Sequence, residues 1–368
     1  MYKEPKCRKE ILDIKPYVPG KPIEEVQREF GITQVIKLAS NENPLGPSPK
    51  AVEALQSKIG DIFMYPDGSC YHLKGAIAEK LGVAAENILV GNGSDEIIKL
   101  LSEAYLYPGD EVIIPNPSFA EYEFGAKVMG AKCVYSPLKD FRIDLSNMLN
   151  RITAKTKMIF VCNPNTPTGS IVYREEVERF LNEVPTHVLV VFDEAYYEYV
   201  GDSRYPETVD YVLDGRPNLV ALRTFSKIYG LAGLRVGYAV GPSSVIAHVN
   251  RVREPFNVNM LAQAAAVAAL EDEDHLERSR EVNNEGKDYL YKEFERMGLK
   301  YWPTETNFIW VDLGKNIKEV FHEMLKKGVI IRTGDVFGYD TFARITIGTP
   351  EQNQRLIKVL EEVLSTLN

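Results

Sequence analysis

The chain has 368 residues, of which 45% are hydrophobic and 26% are charged. This balance excludes an intrinsically disordered protein and provides enough apolar residues for a full core. Lys and Arg number 43 against 52 Asp and Glu, so the net charge is −9. Because an acidic surface repels the phosphate backbone of nucleic acid, we expect no nucleic-acid partner.

The cysteines, histidines and apolar stretches give no sign of a metal site, a disulfide framework or a membrane anchor. The four cysteines form no CxxC pair, and the five histidines show no HxxxH spacing. The first residues lack the apolar core of a secretory signal. The longest apolar stretch, near residues 261–270, is interrupted by Gln263 and is well short of the ~20 residues that a membrane span needs. We expect a cytoplasmic protein with no membrane partner.

Between residues 87 and 240, short apolar runs alternate with helical patterns such as Asp95–Tyr105 and Glu175–Asn182. Runs that are apolar on both faces predict strands buried on both sides, and helices between them favour parallel crossovers. We therefore expect an α/β domain whose mostly parallel central sheet is flanked by helices. The predicted strands are Ile88–Val90, Val112–Ile114, Met158–Val161, Val188–Phe192, Leu219–Leu222 and Gly237–Val240.

The pattern changes after Val249 and predicts a second, smaller α+β domain. Long helices are expected near residues 260–270 and 276–297, followed by strands at Phe308–Val311, Val329–Ile331 and Arg344–Ile347. The N-terminal segment is rich in Pro and Gly and would have to pack on another part of the chain to be ordered. We expect a large domain over residues 45–249. Residues 1–44 and 250–368 would form an N-terminal arm and the small domain.

Polar residues follow three of the predicted strands. Asn163 follows the strand that ends at Val161, and Asp193 and Tyr196 follow the next one. Lys227 comes shortly after the strand that ends at Leu222. Each residue alone is also typical of a helix cap, a turn or a solvated surface. Because ligands bind at the carboxyl edge of open parallel sheets, the four together indicate a site for one small molecule.

A glycine turn leads from Val90 into a helix that begins near Ser94 and Asp95. The free N–H groups and the positive dipole end of such a helix bind anions, typically phosphate. Taken alone, the turn favours an ordinary helix cap by Ser94. Together with Ser226 and Arg235, it favours a phosphate-binding site.

Four motifs carry a resemblance to a known family. They are Asn-Pro-Asn-x-Pro-Thr-Gly at 163–169, Asp-Glu-Ala-Tyr at 193–196, Thr-Phe-Ser-Lys at 224–227 and Gly-Leu-Arg-x-Gly-Tyr at 233–238. In this order they resemble the pyridoxal 5′-phosphate-dependent aminotransferases of fold type I. The resemblance implies a transaminase that uses this cofactor in two ping-pong half-reactions.

The resemblance also implies a role for each matching residue. Lys227 would hold the cofactor as an imine and move the substrate proton, and Asp193 would pair with the pyridine nitrogen. Asn163 and Tyr196 would bond the ring hydroxyl oxygen, and a homodimer would share its active sites. The other implied cofactor contacts are Gly93, Ser94, Asp95, Thr224, Ser226 and Arg235 at the phosphate, Phe119 and Ala195 on the ring faces, and Tyr65 from the second subunit.

Within the family, several segments are typical of histidinol-phosphate aminotransferases, which act in histidine biosynthesis. They are residues 15–22, residues 38–44, and residues 329–332 followed by 344–349. By this resemblance Arg344 binds the α-carboxylate of glutamate or 2-oxoglutarate. Arg332, with Tyr17 and Asn43, would bind the distal anion, which is the phosphate of histidinol phosphate or the side-chain carboxylate of glutamate.

Three other functions remain open at this point. An aminotransferase for phenylalanine and tyrosine would need an apolar slot where Arg332 is expected. A threonine-phosphate decarboxylase would release carbon dioxide and would not need 2-oxoglutarate. A transcription regulator built on this fold would need a DNA-binding domain ahead of it, and the residues before the first motif lack a helix-turn-helix pattern.

Overall fold

The computed structural model describes residues 5–12, 14, 16 and 20–367. These residues form two β-sheets, each packed against helices. The strands are β1 (Ile36–Leu38), β2 (Ile88–Gly91), β3 (Glu111–Asn116), β4 (Lys132–Pro137), β5 (Thr156–Cys162), β6 (Leu189–Asp193), β7 (Leu219–Thr224), β8 (Gly237–Val240), β9 (Lys300–Trp302), β10 (Phe308–Asp312), β11 (Val329–Thr333) and β12 (Phe342–Thr346).

Helices connect most of these strands, as the helical patterns between the apolar runs predict. In the described residues no helix has both the length and the apolar character to cross a membrane. The α-helices are α1 (Ile23–Phe30), α2 (Pro49–Lys58), α3 (Tyr71–Leu81), α4 (Ser94–Tyr105), α5 (Ala120–Val128), α6 (Leu145–Leu149), α7 (Arg174–Glu183), α8 (Thr208–Leu213), α9 (Ser243–Val249), α10 (Met260–Leu270), α11 (Glu273–Arg296), α12 (Ile317–Lys326) and α13 (Pro350–Thr366).

The larger sheet has the strand order β2-β8-β7-β6-β5-β3-β4. The strands from β7 to β4 pair in parallel, whereas β8 runs antiparallel to both of its neighbours. Strands β6, β7 and β8 are buried along their whole length, as expected where helices cover both faces. The predicted α/β class with a mostly parallel sheet is confirmed.

The edge strand β4 was not predicted from the sequence. Its residues are mostly exposed or half-buried, so they show no continuous apolar run. It begins with Lys132 and ends with Pro137, and charged residues and proline are common on edge strands. The same weak signal explains why the short strands β1 and β9 were missed.

The smaller sheet has the order β1-β11-β12-β10-β9 and packs against α11, α12 and α13. Strand β1 comes from the N-terminal segment and pairs in parallel with β11, with Leu38 opposite Ile331. The N-terminal segment is therefore tied to the small domain from β1 onwards, as its composition required. Leu38 and Ile331 lie in one core with Phe294 of α11 and Leu356 of α13.

Helix α10 packs with the large domain, although the predicted boundary lies at residue 249. It contacts α2 and α3, and its residues Ala262, Ala265 and Ala266 are buried in the same core as the larger sheet. Small alanine side chains allow helices to approach closely, which suits a helix packed in this way. We therefore propose that the large domain continues to Leu270 and that the small domain begins with α11.

Candidate active site

The carboxyl ends of β5, β6 and β7 open into a cavity of about 290 Å³. Strands β11 and β12 of the small sheet supply part of its wall. The cavity brings together most of the residues that the sequence predicts for the site. These are Ser94, Asp95, Phe119, Asp193, Ala195, Tyr196, Thr224, Ser226, Lys227, Arg235, Arg332 and Arg344.

A buried carboxyl group lies in the wall of this cavity. Asp193 is the last residue of β6 and is 2% exposed. Its Oδ1 accepts a hydrogen bond from the Ala195 N–H at 3.2 Å, and its Oδ2 accepts one from the Tyr122 hydroxyl at 2.7 Å. Burial raises the pKa of Asp193 from 3.8 to about 6 because the low-dielectric surroundings disfavour the charged form. A cation bound beside Asp193 would favour the ionised form.

The amine of Lys227 lies in the same cavity, three residues beyond the end of β7. Its Nζ donates to the Ser40 carbonyl at 3.4 Å and lies 5.4 Å from the centre of the Tyr196 ring. The Tyr196 hydroxyl accepts a hydrogen bond from Nδ2 of Asn41 at 2.7 Å. An amine, a buried carboxyl and a phenol therefore border one small space.

The end of the cavity near α4 is suited to an anion. Ser94 begins α4, and the N-terminal N–H groups of a helix this long attract negative charge. Arg235 donates to Oδ2 of Asp95 at 2.8 Å and to Oγ of Ser226 at 3.4 Å. A Cβ at Gly93 would lie 2.6 Å from the Arg235 guanidinium, so only glycine allows this approach. The hydroxyls of Ser226 and Thr224 also border the space.

Two arginines border the cavity on the small-domain side. Arg332 of β11 lies directly opposite Arg344 of β12 in their antiparallel pair. Two neighbouring guanidinium groups in the wall of a cavity attract anions. Arg344 is oriented by a 2.7 Å hydrogen bond to the Ala39 carbonyl. Guanidinium groups in such positions can bind carboxylate or phosphate through two hydrogen bonds.

Asn163 bonds to the backbone of its own loop, and the role expected for it stays a prediction. Its Oδ1 accepts from the Val172 N–H at 2.9 Å, and its Nδ2 donates to the Val172 carbonyl at 3.4 Å. Both ends of the amide therefore fix the loop, and Asn163 does not line the cavity. Thr166, three residues further along the same loop, lines it instead.

Asn43 also bonds to neighbouring parts of the chain, and the substrate contact expected for it stays a prediction. Its Nδ2 donates to the Ile228 carbonyl at 2.6 Å and to the Ser279 hydroxyl at 2.9 Å, and its Oδ1 accepts from the Leu45 N–H at 3.0 Å. These bonds tie the segment after β1 to the Lys227 loop and to α11. Asn41 lines the cavity in its place, in a left-handed conformation (φ 58°) that asparagine tolerates better than most residues.

Two other residues were predicted for the site, Tyr17 and Tyr65. Tyr17 lies outside the described residues. Tyr65 is 81% exposed and stacks on Phe256 with ring centres 4.9 Å apart, and it does not line the cavity of its own chain. The sequence reasoning also missed Tyr122, because its helical position resembles that of an ordinary core residue.

The raised pKa of Asp193 predicts a stability cost in the chain without small-molecule ligands. Between about pH 4 and pH 6 the unfolded chain releases this proton and the folded chain retains it, so stability falls as pH rises. Asp193→Asn should therefore stabilise the protein at pH 7 by up to about 3 kcal/mol, since each pKa unit corresponds to ~1.4 kcal/mol. Urea unfolding at several pH values measures the difference.

The gain should disappear below about pH 3, where both the folded and the unfolded chain hold the proton. Asp214→Asn, at an exposed aspartate, is the matched control and should show no such pH-dependent gain. Equal stability of wild type and Asp193→Asn at pH 7 would contradict the burial penalty.

Comparison with known proteins places the chain in a family. Residues 33–360 match the family described as aminotransferase class I and II. The chain is 62% identical to histidinol-phosphate aminotransferase from Moorella thermoacetica, over 98% of this chain and 94% of that protein. It is 47% identical to the enzyme of the same name from Caldicellulosiruptor saccharolyticus, over 97% and 99% of the two chains.

A solved structure agrees with these relatives. The histidinol-phosphate aminotransferase from Sinorhizobium meliloti, solved in complex with pyridoxal-5′-phosphate, superimposes with a TM-score of 0.92 at 28% identity. The match covers 99% of this chain and 98% of that one. The chain therefore belongs to the class I and II aminotransferases, and within them to the histidinol-phosphate aminotransferases.

Proposed function

We propose that this protein transfers an amino group between L-histidinol phosphate and 2-oxoglutarate, with pyridoxal 5′-phosphate as its cofactor, in histidine biosynthesis. From histidinol phosphate and 2-oxoglutarate the products are imidazole acetol phosphate and glutamate, which is the reverse of the biosynthetic direction. The observation that carries the proposal is one cavity in which the amine of Lys227 and the carboxyl of Asp193 lie between two regions suited to anions. The relatives named above, at up to 62% identity, support the substrate.

The residues of the cavity fit this cofactor. A phosphate matches the N-terminus of α4 with the hydroxyls of Thr224 and Ser226 and the guanidinium of Arg235. A cationic ring nitrogen matches Asp193, whose burial otherwise favours the neutral acid. Bound pyridoxal phosphate supplies an electron-withdrawing ring that weakens the Cα–H bond of an amino-acid substrate.

Lys227 and the groups around it would perform the proton transfer. The Lys227 amine would hold the cofactor and would move the proton at the substrate Cα as a general acid and base. The Tyr196 hydroxyl, held by Asn41 at 2.7 Å, and Thr166 are the candidates for the ring hydroxyl oxygen. Asn163, in the same loop as Thr166, remains a proposed contact of the same oxygen.

The small domain would bind the two ends of the substrates. Arg344, buried and oriented by the Ala39 carbonyl, would bind the carboxylate of glutamate or 2-oxoglutarate. Arg332 would bind the distal anion, either a phosphate or a side-chain carboxylate. An aromatic substrate has no charge to place beside Arg332, which favours histidinol phosphate over phenylalanine or tyrosine.

The substrate is tested by comparing amino donors. With 2-oxoglutarate as acceptor, kcat/KM should be highest for histidinol phosphate among histidinol phosphate, phenylalanine and tyrosine. Arg332→Ala should reduce kcat/KM for histidinol phosphate ~30-fold to several-thousand-fold, because losing a charged partner in a dry site costs about 2–5 kcal/mol. The loss for phenylalanine should be much smaller.

Arg296→Ala, at an exposed arginine paired with Glu361, is the control and should leave kcat/KM unchanged for both amino donors. An equal decrease in kcat/KM for both amino donors in Arg332→Ala would show that Arg332 does not bind the distal anion. Carbon dioxide release from threonine phosphate, with no need for 2-oxoglutarate, would instead identify a decarboxylase.

We also propose a homodimer with shared active sites. Residues 59–65 carry an unusually exposed apolar surface, in which Phe63 is 82% and Tyr65 81% exposed. Large contiguous apolar patches on a protein surface mark interaction sites. In an isologous dimer the same segment of each subunit can reach the other, and Tyr65 would bond the cofactor phosphate of the partner.

A cytoplasmic location is part of the proposal. All four cysteines are free thiols, two of them buried. Proteins of oxidising compartments tend to carry disulfides, whereas cytosolic proteins keep their thiols reduced.

The shared site is tested by complementation between two inactive variants. Mixing Tyr65→Ala with Lys227→Ala under conditions of subunit exchange creates heterodimers in which one site carries both lesions and the other carries neither. With random exchange, half of the dimers are hybrid and half of their sites are intact, so activity should return to about a quarter of wild type. No recovery despite proven exchange, or a monomer in sedimentation, would contradict the shared site.

A further inference from the structure

Tyr122 lies in the core directly beneath the cavity. It is a residue of α5 and is fully buried. Its ring stacks on Phe160 of β5, with centres 4.5 Å apart and planes 10° apart, and meets the edge of Phe119 at 5.7 Å. Phe119 in turn lines the cavity. Because packing holds the ring on both sides, the position of the phenol oxygen is fixed.

The Tyr122 hydroxyl donates to Oδ2 of Asp193 at 2.7 Å. Burial raises the pKa of Tyr122 well above its usual value, so the phenol keeps its proton and acts as the donor. A hydrogen bond donated to a carboxylate favours the ionised form, and here it opposes the effect of burial on Asp193.

Other titratable groups also act on Asp193. Lys227 favours the charged carboxylate and Asp95 disfavours it. The thiol of Cys162 lies close to both Asp193 and Tyr122, and burial raises its pKa to about 12, so it stays neutral at physiological pH. Tyr122 and the Ala195 N–H are thus the two neutral donors that hold the two carboxylate oxygens.

We propose that Tyr122 is a positioning residue of this enzyme, whose hydroxyl keeps Asp193 ionised and oriented towards the cofactor ring nitrogen. The inference rests on the proposed function, since it assigns Tyr122 a role through Asp193. A tyrosine that only filled the core would have no need of its hydroxyl, whereas this hydroxyl is bonded to a buried carboxyl group in the cavity wall.

Tyr122→Phe tests the proposal because it removes the hydroxyl and retains the stacked ring. In the holoenzyme, a less ionised Asp193 leaves less positive charge on the cofactor ring, so the linkage to Lys227 should keep its proton to a higher pH. The pH midpoint of the visible absorbance of the bound cofactor should rise by about one pH unit, and kcat/KM should fall roughly 10-fold, as expected for one hydrogen bond to a charged acceptor.

Tyr291→Phe is the matched control. Tyr291 stacks on Tyr301 with ring centres 4.5 Å apart and accepts a hydrogen bond from the Thr304 N–H, but it lies in the small domain away from the cavity. In Tyr291→Phe, the pH midpoint of the cofactor absorbance and kcat/KM should equal those of wild type. A general effect of losing a hydrogen-bonded tyrosine hydroxyl would shift the pH midpoint of both variants equally and would overturn the proposal.

Two further measurements separate the possible outcomes. In an Asp193→Asn background, Tyr122→Phe should no longer shift the midpoint, because Tyr122 acts through the carboxylate. Should Tyr122→Phe fold poorly, 3-fluorotyrosine in place of Tyr122 gives a stronger hydrogen-bond donor and should lower the pH midpoint.

An unchanged pH midpoint in a well-folded Tyr122→Phe would overturn the inference about Tyr122. A wild-type protein without a cofactor absorbance band would overturn the proposed function itself.

Discussion

The site depends on the fact that β5, β6 and β7 are parallel neighbours and end at one edge of the sheet. Asp193 closes β6, and Lys227 follows β7 after a short turn, so their proximity is a consequence of strand pairing. A buried ion pair joins the same two strand ends, because Arg223 Nε lies 3.0 Å from Oε2 of Glu194. Removing one member of such a pair leaves an uncompensated buried charge, so the pair holds the two chain segments in one arrangement.

The second half of the site comes from the small domain and from the segment that follows β1. Pairing of β1 with β11 brings Asn41 to Tyr196, and the pairing of β11 with β12 sets Arg332 beside Arg344. The buried carboxyl of Asp193 is unfavourable in the protein alone, because burial disfavours its charged form. A binding site that lowers the stability of the folded protein in this way is typical of proteins in which some stability is given up for function.

Much of this arrangement could be predicted from the sequence, because buried parallel strands leave continuous apolar runs and the polar residues after them must meet at one edge. Side-chain direction in irregular loops could not be predicted. Asn163 and Thr166 lie three residues apart in one loop, and Asn41 and Asn43 two residues apart in another, and only the folded backbone shows which member reaches the cavity. The sequence around Tyr122 gave no indication of a role in the site, since an aromatic residue in a helix is usually part of the core.

The central claim is that Lys227 carries the cofactor, and reductive trapping tests it most directly. Borohydride treatment of the purified protein loaded with pyridoxal phosphate, followed by digestion and mass spectrometry, should find the cofactor attached to the peptide that contains Lys227. The visible absorbance band should disappear at the same time, and Lys227→Ala should show neither signal. Attachment to any other lysine would contradict the account.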